Sequence, residues 1–335
     1  MKRILLATAA AAAFGLPVAA QAQDSYTFAL VPKAMNNPFF DQARDGCYKA
    51  QEELPDVECY YIGPAEHTEA DQLQIVQDLI SQGVDGIAVS PSNAPAMARV
   101  LQAAADAGIP VITWDSDLLP EDQGLRAAYV GTHNYMIGVE LAKLAQERKP
   151  EGGTIVIQSG GAAAANHNER VAGIRDTLRG EPSGEPNPGP KLAGENGWTE
   201  IEVSPLYTND DFPLSAQQMA DVLGSTPDLD VWISTGLFPH GVPNAFSDLI
   251  KNYRDRMDSG DLVVLIADTL PVQLDFVRSG DTHGLVGQRP FEMGYRSMYI
   301  LRDIVAEGKM PEDPTYTGLD VCVQENIDTC VGGGS

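Results

Sequence analysis

Two adjacent aromatic residues and an amide lie directly after the first predicted strand of this 335-residue chain. The aromatic pair is Phe39 and Phe40, the amide is Asn37, and Lys33 precedes them in the same segment. Two exposed rings can clamp a flat, partly apolar face such as that of a sugar ring, while an amide and an ammonium supply directional hydrogen bonds. A loop at the carboxyl end of a strand faces the binding crevice of an α/β sheet. The segment therefore predicts a ligand site, although an Asn-Pro turn followed by two core rings has the same pattern.

Polar residues recur at the same position after other predicted strands. Apolar strands that repeatedly end in hydrogen-bonding side chains predict one crevice that is lined from several strands. Each residue alone has another interpretation, such as an Asx turn at Asp115 or the solvated first turn of a helix at Asn168. Together with the first segment, the candidate ligand-binding residues are Lys33, Asn37, Phe39, Phe40, Asp115, Asn168, Arg170, Thr235, Asp268 and Gln288.

These residues require a scaffold in which strands and helices alternate. The alternation repeats about every 25 to 30 residues from Tyr26 to Gln158, which predicts βαβ units and a parallel sheet. A mature chain of about 310 residues exceeds what one core usually organises, so we expect two domains. The segment 180–197 is rich in Gly, Pro, Glu and Asn and is predicted to be a surface loop or insertion. The predicted strands are 26–31, 57–62, 86–89, 110–114, 128–130, 154–158, 201–206, 231–234, 262–267 and 284–287.

Capping residues predict where the first helices begin and end. A helix is predicted from about residue 39 to residue 54, after the Asn-Pro turn. The next helix is predicted over 68–82, from a Thr cap to Gly83. A third has Pro95 in its first turn and stops at Gly108. These helices place the polar loops at one edge of the predicted sheet.

The amino terminus has the pattern of an export signal. Lys2 and Arg3 precede an apolar run over 4–20, and Ala20-Gln21-Ala22 has the small-x-small form of a cleavage site. We therefore expect a signal peptide over residues 1–23. The run is short for a membrane span and rich in Ala, which disfavours an anchor.

Four cysteines fall into two near pairs, Cys47 with Cys59 and Cys322 with Cys330. Four cysteines allow three connectivities, of which the local pairing is the simplest. Their spacing is not that of a zinc module, and the histidines are scattered, so neither a metal nor another cofactor is predicted.

The overall charge and the absence of catalytic motifs exclude several classes of function. The chain has 22 basic and 47 acidic residues, a formal net charge of −25, which disfavours binding to nucleic acid or anionic lipid. Ser159-Gly160-Gly161 follows a strand but lacks the spacing of a dinucleotide or P-loop motif. No Gly-x-Ser-x-Gly elbow occurs, and a signal sequence stands where a regulator needs a helix-turn-helix. The sequence therefore does not predict an enzyme or a transcription regulator.

With these motifs in view, the chain resembles the periplasmic substrate-binding proteins of sugar ABC importers, in particular the type I, ribose-binding-protein-like group. The resemblance runs from about Tyr26 to about Asn326. The motifs that carry it are Asn36-Asn37-Pro38-Phe39-Phe40, Gly83-Val84-Asp85-Gly86-Ile87, Ile109-Pro110-Val111-Ile112-Thr113-Trp114-Asp115, Asn168-Glu169-Arg170 with Gly173, and Gly287-Gln288.

The resemblance implies an α/β fold of two doubly wound parallel-sheet lobes that are joined by a three-segment hinge and close around a sugar. It places the N-terminal lobe at 24–132 plus 290–317, and the C-terminal lobe at 133–289 plus 318–335. It also implies a periplasmic monomer without a cofactor. The implied ligand is a small sugar or polyol, and the implied partner is an ABC permease in the inner membrane.

The resemblance also implies a role for individual residues. Asn37 and the aromatic pair form the wall of the first lobe, and Asp115 accepts hydrogen bonds from ligand hydroxyls. Arg170 donates to ligand oxygens from the second lobe, while Asp268 and Gln288 complete a polar cage. A carboxylate suits such a site because it accepts strong hydrogen bonds from two neighbouring hydroxyls.

The chain departs from the ribose binders at two motifs. Asp115-Ser116 stands where they usually have Asp-Arg, and Thr235-Gly236 stands where they usually have Asn-Asp. Pro32-Lys33 and the segment 113–117 look more like the branch that binds autoinducer-2 or rhamnose, although Asn166-His167 replaces the Asp-Gln pair expected there. A Lys33 ammonium beside Asp115 suits a small, highly hydroxylated ligand. The identity of the sugar or polyol stays open, and a periplasmic sensor that presents its ligand to a membrane receptor is the alternative function.

Overall fold

Two β-sheets with helices packed on both faces organise the chain. The computed structural model describes residues 25–185 and 187–331, so the predicted signal peptide over 1–23 lies outside the described residues. The strands are β1 (Tyr26–Val31), β2 (Val57–Tyr61), β3 (Gly86–Val89), β4 (Val111–Trp114), β5 (Tyr129–Gly131), β6 (Gly153–Ser159), β7 (Trp198–Glu200), β8 (Leu206–Tyr207), β9 (Val231–Ser234), β10 (Val263–Ala267), β11 (Gly284–Gly287), β12 (Thr315–Tyr316) and β13 (Asp320–Cys322). The helices are α1 (Pro38–Glu53), α2 (Glu69–Gln82), α3 (Ala94–Ala107), α4 (Asn134–Arg148), α5 (Ala165–Arg179), α6 (Phe212–Ser225), α7 (Pro243–Ile250), α8 (Arg254–Asp258), α9 (Pro271–Arg278) and α10 (Pro290–Glu307).

The strand order defines two doubly wound lobes. It is β12-β5-β4-β3-β1-β2 in the first sheet and β13-β11-β10-β9-β6-β7 in the second, where β8 also pairs with β6. The paired strands are parallel, except that β13 is antiparallel to β11. We call the first sheet with α1–α3 and α10 the first lobe, and the second sheet with α4–α9 the second lobe. The chain crosses between them after β5, β11 and β12, and the predicted α/β fold class is confirmed.

Alternate residues of each strand pack into separate cores on the two faces of the sheet. In β1, Phe28 and Leu30 join the cluster that includes residues of α1 and α10, whereas Ala29 and Val31 join the cluster of α2 and α3. The second sheet is covered in the same way, by α4 and α5 on one face and by α6 to α9 on the other. Burial on both faces explains why these parallel strands are continuous apolar runs in the sequence.

The predicted capping residues set most of the helix ends. α1 begins one residue earlier than predicted, because the side chain of Asn37 accepts a hydrogen bond at 3.0 Å from a backbone N–H of the first turn. Gly83 and Gly108 end α2 and α3 with φ of 72° and 73°, a left-handed conformation that glycine adopts readily. Thr68 stands at the N-cap of α2, but its side chain makes no capping hydrogen bond.

The prediction of one strand over 201–206 is wrong. The chain forms the two short strands β7 and β8 instead, separated by a turn. Across from this break, the backbone N–H of Ile157 donates to the Ser204 hydroxyl at 3.1 Å, and Pro205 has no N–H to offer a ladder. The apolar Val203, which favoured a strand, is 57% exposed. The short strands β12 and β13 were not predicted.

Both predicted local disulfides are confirmed. Cys47 is bonded to Cys59 and Cys322 to Cys330, with Cα atoms 6.0 and 5.2 Å apart. No helix within the described part of the chain is long and apolar enough to cross a membrane. Over 25–185 and 187–331, no group of three or more His, Cys, Asp or Glu residues could hold a metal ion.

Candidate ligand-binding site

A cavity between the two lobes brings most of the predicted residues together. About 290 Å³ between its lining residues is not filled by protein atoms, a volume that includes space open to solvent. All of the predicted ligand-binding residues line it except Asn168 and Thr235. The lining residues are Lys33, Asn37, Phe39, Phe40, Asp115, Asn166, His167, Arg170, Asp210, Gly236, Leu237, Phe238, Asp268 and Gln288.

The two phenylalanines that open α1 form an aromatic wall in the first lobe. The expectation that they are exposed is wrong, since Phe39 and Phe40 are 4% and 3% exposed and belong to the core of that lobe. Their rings meet edge to face with centroids 5.2 Å apart, and Phe40 meets Trp114 in the same way at 5.6 Å. The rings therefore present their remaining surface to the cavity from fixed positions.

A hydrogen-bonded ring of three side chains joins the lobes at the centre of the cavity. Lys33 Nζ lies 3.2 Å from Asp115 Oδ2 and donates to Asn166 Oδ1 at 2.9 Å. The amide of Asn166 in turn donates to Asp115 Oδ1 at 3.2 Å. Lys33 and Asp115 follow β1 and β4 of the first lobe, whereas Asn166 lies in α5 of the second. The Lys33 ammonium therefore does lie beside Asp115, and Asn166 of the opposite lobe completes the hydrogen-bonded ring.

Two acidic residues of the cavity have a backbone conformation that residues other than glycine rarely adopt. Asp115 has φ of 58° and Asp268 has φ of 75°, and each directly follows a buried strand. Left-handed residues of this kind persist only where the surroundings hold them, and they cluster at functional sites. Ser90 Oγ holds the Asp115 carboxylate at 2.7 Å, and the backbone N–H of Leu237 holds that of Asp268 at 3.0 Å.

Arg170 is held in the cavity by groups from the second lobe. Its Nε and Nη2 donate to Asn134 Oδ1 at 2.9 and 2.8 Å, and its Nη1 donates to the carbonyl of Thr235 at 2.8 Å. Asp115 Oδ1 of the first lobe is 3.7 Å from Nη2. Thr235 thus stands behind the guanidinium instead of lining the cavity, because its carbonyl faces Arg170 and its hydroxyl is paired with His167 at 2.9 Å.

Asn168 is also outside the cavity wall. Its amide donates to the carbonyl of Ala162 at 2.9 Å, which ties the loop before α5 to the helix. The sequence pattern marked Asn168 because it stands close to Arg170. On a helix, however, positions two residues apart do not share a face.

Asp268 and Gln288 pair on the second-lobe side of the cavity. Gln288 Nε2 donates to Asp268 Oδ1 at 2.8 Å, while Gln288 Oε1 is buried without a hydrogen-bond partner in the described residues. Burial raises the pKa of Asp268, and the nearby Asp115 adds to this, against the opposing effects of Arg170 and Gln288. The free amide oxygen leaves one acceptor available to a ligand hydroxyl.

Several lining residues were not among the predicted ones, notably Asn166, His167, Asp210 and Phe238. Burial lowers the pKa of His167 well below its usual value, and the charges of Lys33 and Arg170 add to this. The imidazole is therefore neutral near pH 7. Asn166 and His167 directly precede a motif that the sequence did mark, and Asp210 follows a strand like the others. Asp210 lies three residues past the end of β8, and no motif in the sequence marked it.

The cavity combines carboxylate acceptors, cationic donors, amides and aromatic rings. The carboxylates of Asp115 and Asp268 and the cations of Lys33 and Arg170 all line it and are almost fully buried. Hydrogen bonds made by charged groups are stronger when the groups are buried than when they are exposed to water. This set of groups is suited to bind a small molecule with several hydroxyls and one apolar face.

Comparison with known sequences assigns a family to most of the chain. A family described as periplasmic binding protein domain matches residues 28–310. The D-allose-binding periplasmic protein of Escherichia coli is 23% identical over 304 residues, which cover 88% of this chain and 90% of that protein. The D-ribose/D-allose-binding protein of Pseudomonas aeruginosa is 30% identical over 170 residues, and the match spans only about half of that protein, 52%.

Solved structures show the same architecture. A solute-binding protein of an ABC transporter from Burkholderia graminis, in complex with D-arabinose, is 27% identical with a TM-score of 0.78, and the match covers 92% of this chain and 99% of that one. GanP, a glucose-galactose binding protein from Geobacillus stearothermophilus, is 26% identical with a TM-score of 0.76, covering 90% and 99%. These relatives are named as binding proteins and not as enzymes, in agreement with the absence of a predicted catalytic motif.

Proposed function

Since this chain belongs to the periplasmic binding protein domain family and to its sugar-binding type I group, we propose that it captures a monosaccharide or a similar small polyhydroxylated molecule between its lobes. It then delivers this ligand to an ABC importer. The observation that carries the proposal is the composition of the cavity wall. Aromatic rings of the first lobe line the cavity together with buried carboxylates and cations from both lobes.

In this proposal each wall contacts a different part of the ligand. Phe39 and Phe40 pack against the apolar face of a ring, as carbohydrate rings have one. Asp115 accepts hydrogen bonds from neighbouring hydroxyls, while Lys33 and Arg170 donate to ligand oxygens. The residues come from loops after strands of both sheets, so only the closed protein offers the full set.

Binding is coupled to closure of the lobes about the three chain crossings. A ligand shifts such an equilibrium by the difference between its contacts in the closed and the open state. The bond between Lys33 and Asn166 and the approach of Arg170 to Asp115 already join the two lobes in the closed form. A ligand that binds beside these groups adds contacts to both walls and holds the lobes together.

The location and the partners follow from the same proposal. The signal peptide over 1–23 directs export, and the mature protein works as a monomer in the periplasm. Its partner is an ABC permease in the inner membrane, which receives the closed, loaded form. The strongly acidic composition, 47 acidic against 22 basic residues, keeps such an exported monomer soluble.

The test is a thermal-shift screen of the mature chain, residues 24–335, against pentoses, hexoses, deoxysugars, polyols and autoinducer-2. A ligand at about 100 times its dissociation constant adds about 2.7 kcal/mol to the free energy of unfolding, which raises the melting temperature measurably. We expect a clear shift with one sugar or polyol, and a much smaller one with the Asp115→Ala variant. If no compound shifts the melting temperature, the proposal of a sugar or polyol ligand is wrong. Uptake of the ligand by a strain that lacks the protein then tests delivery to the importer.

A further inference from the structure

A histidine of the first lobe contacts a carboxylate of the second lobe beside the cavity. His67, in the loop between β2 and α2, has its Nδ1 2.7 Å from Oδ2 of Asp210, in the loop after β8. Both side chains are buried, with 5% and 4% exposed. Because the two residues belong to different lobes, this contact forms only when the cleft is closed.

Asp210 has one oxygen left for a ligand. The residue lines the cavity, and His67 engages only its Oδ2. Within the described residues Oδ1 makes no hydrogen bond. A carboxylate that is fixed through one oxygen and faces a cavity with the other is a directed acceptor for a hydroxyl.

The surroundings keep Asp210 ionised. Burial alone would raise the pKa of Asp210, but the hydrogen bond from His67, together with the charge of Lys33, outweighs it and lowers the pKa. An ionised carboxylate repels a carboxylate or phosphate of a ligand. The wall near Asp210 therefore suits an uncharged hydroxyl.

The backbone presents Asp210 in a defined position. Asn209 and Asp210 have φ of 50° and 56°, so two consecutive residues are left-handed without being glycine. The Thr208 hydroxyl accepts from the Asp210 backbone N–H at 3.2 Å, and the Thr208 backbone N–H donates to the carbonyl of Ser159 at 2.9 Å. The loop is thus tied to the end of β6, and this tie exists before the lobes close.

From this geometry we propose that Asp210 accepts hydrogen bonds from ligand hydroxyls, and that His67 is its positioning residue, which reaches across from the opposite lobe on closure. The inference rests on the proposed function. The inference adds Asp210 as a residue that contacts the ligand and His67 as a residue that orients Asp210. It also predicts that the ligand presents a hydroxyl, and not an anionic group, to this wall.

The test compares four variants of the mature protein with the wild type. His67→Ala removes the donor, His67→Asn keeps an N–H donor near the Nδ1 position, and Asp210→Asn removes the anionic acceptor. Asp211→Asn is the matched control, because it makes the same charge change one residue away, and Asn still caps α6 as Asp211 does. Affinity is measured by calorimetry with D-ribose, D-allose, D-arabinose, D-glucose and myo-inositol as probes, and the melting temperature is measured without ligand.

We expect His67→Ala and Asp210→Asn to weaken binding of the tightest probe by about tenfold to hundredfold, the range for a hydrogen bond to a charged group. His67→Asn should recover most of that loss, to within about threefold of wild type, and Asp211→Asn should bind normally. The melting temperature of the ligand-free variants should stay near that of wild type, because the pair forms only on closure.

If the wild-type protein binds one of the probes, either of two results would overturn the inference. One is normal affinity in His67→Ala or Asp210→Asn. The other is a loss of affinity that is matched by a large drop in the melting temperature without ligand, which indicates a purely structural role. If the wild type binds none of the probes, the sugar ligand of the proposed function fails for this panel, and the inference, which depends on it, fails with it.

Discussion

Arg170 and Arg175 lie on the same helix, α5, and are almost fully buried, with 1% and 2% exposed, but they serve two different regions. Arg175 faces the interior of the second lobe. Its Nε and Nη2 donate to the Glu200 carboxylate at 2.7 and 2.9 Å, and its Nη1 donates to the carbonyl of Gly189 at 2.7 Å. Ser204 Oγ also donates to Glu200, at 2.7 Å. All partners belong to one lobe, and they tie down the 180–197 segment.

Arg170 faces the cleft, where the hydrogen-bond network around it is less complete than the network around Arg175. Its only carboxylate neighbour within salt-bridge range among the described residues, Asp115, lies 3.7 Å away in the other lobe. Gln288 Oε1 nearby has no partner in the described chain. A saturated network within one lobe stabilises the fold, whereas an unsaturated one between lobes leaves groups free for a ligand. The two regions should therefore respond to mutation in different measurements.

The largest effect is expected from breaking the Arg175 network. Glu200→Ala leaves a buried guanidinium without its carboxylate, which should lower the free energy of unfolding by about 3–5 kcal/mol. Ligand affinity of the folded protein should be unchanged, because no member of the network lines the cavity. Chemical denaturation and calorimetry measure the two quantities. Glu202→Ala, at an exposed site nearby, is the control. A loss of affinity in Glu200→Ala would contradict the separation of the two regions.

The converse effect is expected at Asp115. Asp115→Ala removes the acceptor that faces Lys33 and the ligand, and binding should weaken by about 2–4 kcal/mol. The ligand-free melting temperature should fall less than in Glu200→Ala, since Lys33 can be hydrated when the lobes open. Calorimetric titration checks the affinity, and Asp115→Asn shows how much depends on the charge. Wild-type affinity in Asp115→Ala would remove Asp115 from the site.

Glu169, the neighbour of Arg170, tests a third situation, a half-buried carboxyl with no ion-pair partner in the described chain. It lines a cavity on the hinge side together with Asp117, Arg126, His133 and Tyr316, among others. Burial, with a contribution from Asp117 and against Arg170, raises the pKa of Glu169 from 4.5 to about 7. Since the folded state favours the neutral acid, the stability from this group is fully present below about pH 4.5 and is lost as the pH rises towards 7.

Glu169→Gln should remove this pH dependence. The free energy of unfolding of the wild type should fall, relative to the variant, by on the order of 1–3 kcal/mol between pH 4.5 and 7 and then stay level. Denaturation of both proteins across this range measures the difference. A difference that is independent of pH would show that Glu169 keeps an ordinary pKa.

The smallest effect is expected at Asn168. The sequence pattern placed it in the site, but its side chain bonds Ala162 and does not line the cavity. Asn168→Ala should change ligand affinity by less than about 0.5 kcal/mol. The same calorimetric titration measures this change. A loss close to that of Asp115→Ala would mean that the sequence pattern is the better guide to this part of the site.

Much of the fold could be predicted from the chain alone. Apolar runs, caps and left-handed glycines are local signals, so the longer strands of both sheets and the ends of α2 and α3 at Gly83 and Gly108 were found. The predicted family, the α/β class and the two disulfides are confirmed. The wrong strand over 201–206 shows the limit of the method. Local apolarity does not reveal that the backbone N–H of Ile157 bonds to the side chain of Ser204 instead of to the backbone of a neighbouring strand.

The candidate site was predictable where one rule applies, that polar residues after parallel strands share an edge. This rule found Lys33, Asp115, Asp268 and Gln288. It could not tell that Thr235 contributes its carbonyl to Arg170 and not its side chain to the cavity, because that depends on side-chain direction. It also could not pair His67 with Asp210, since the two belong to loops of different lobes.

The sequence by itself determined the class of protein and the identity of the chemical groups, because periodicity, caps and strand-end residues are properties of neighbouring positions. Only the tertiary structure decided which of those groups meet. Lys33 reaches Asn166 and His67 reaches Asp210 because two sheets, formed from separate parts of the chain, close against each other. Such contacts depend on the relative position of two separate cores, and no local pattern encodes that position.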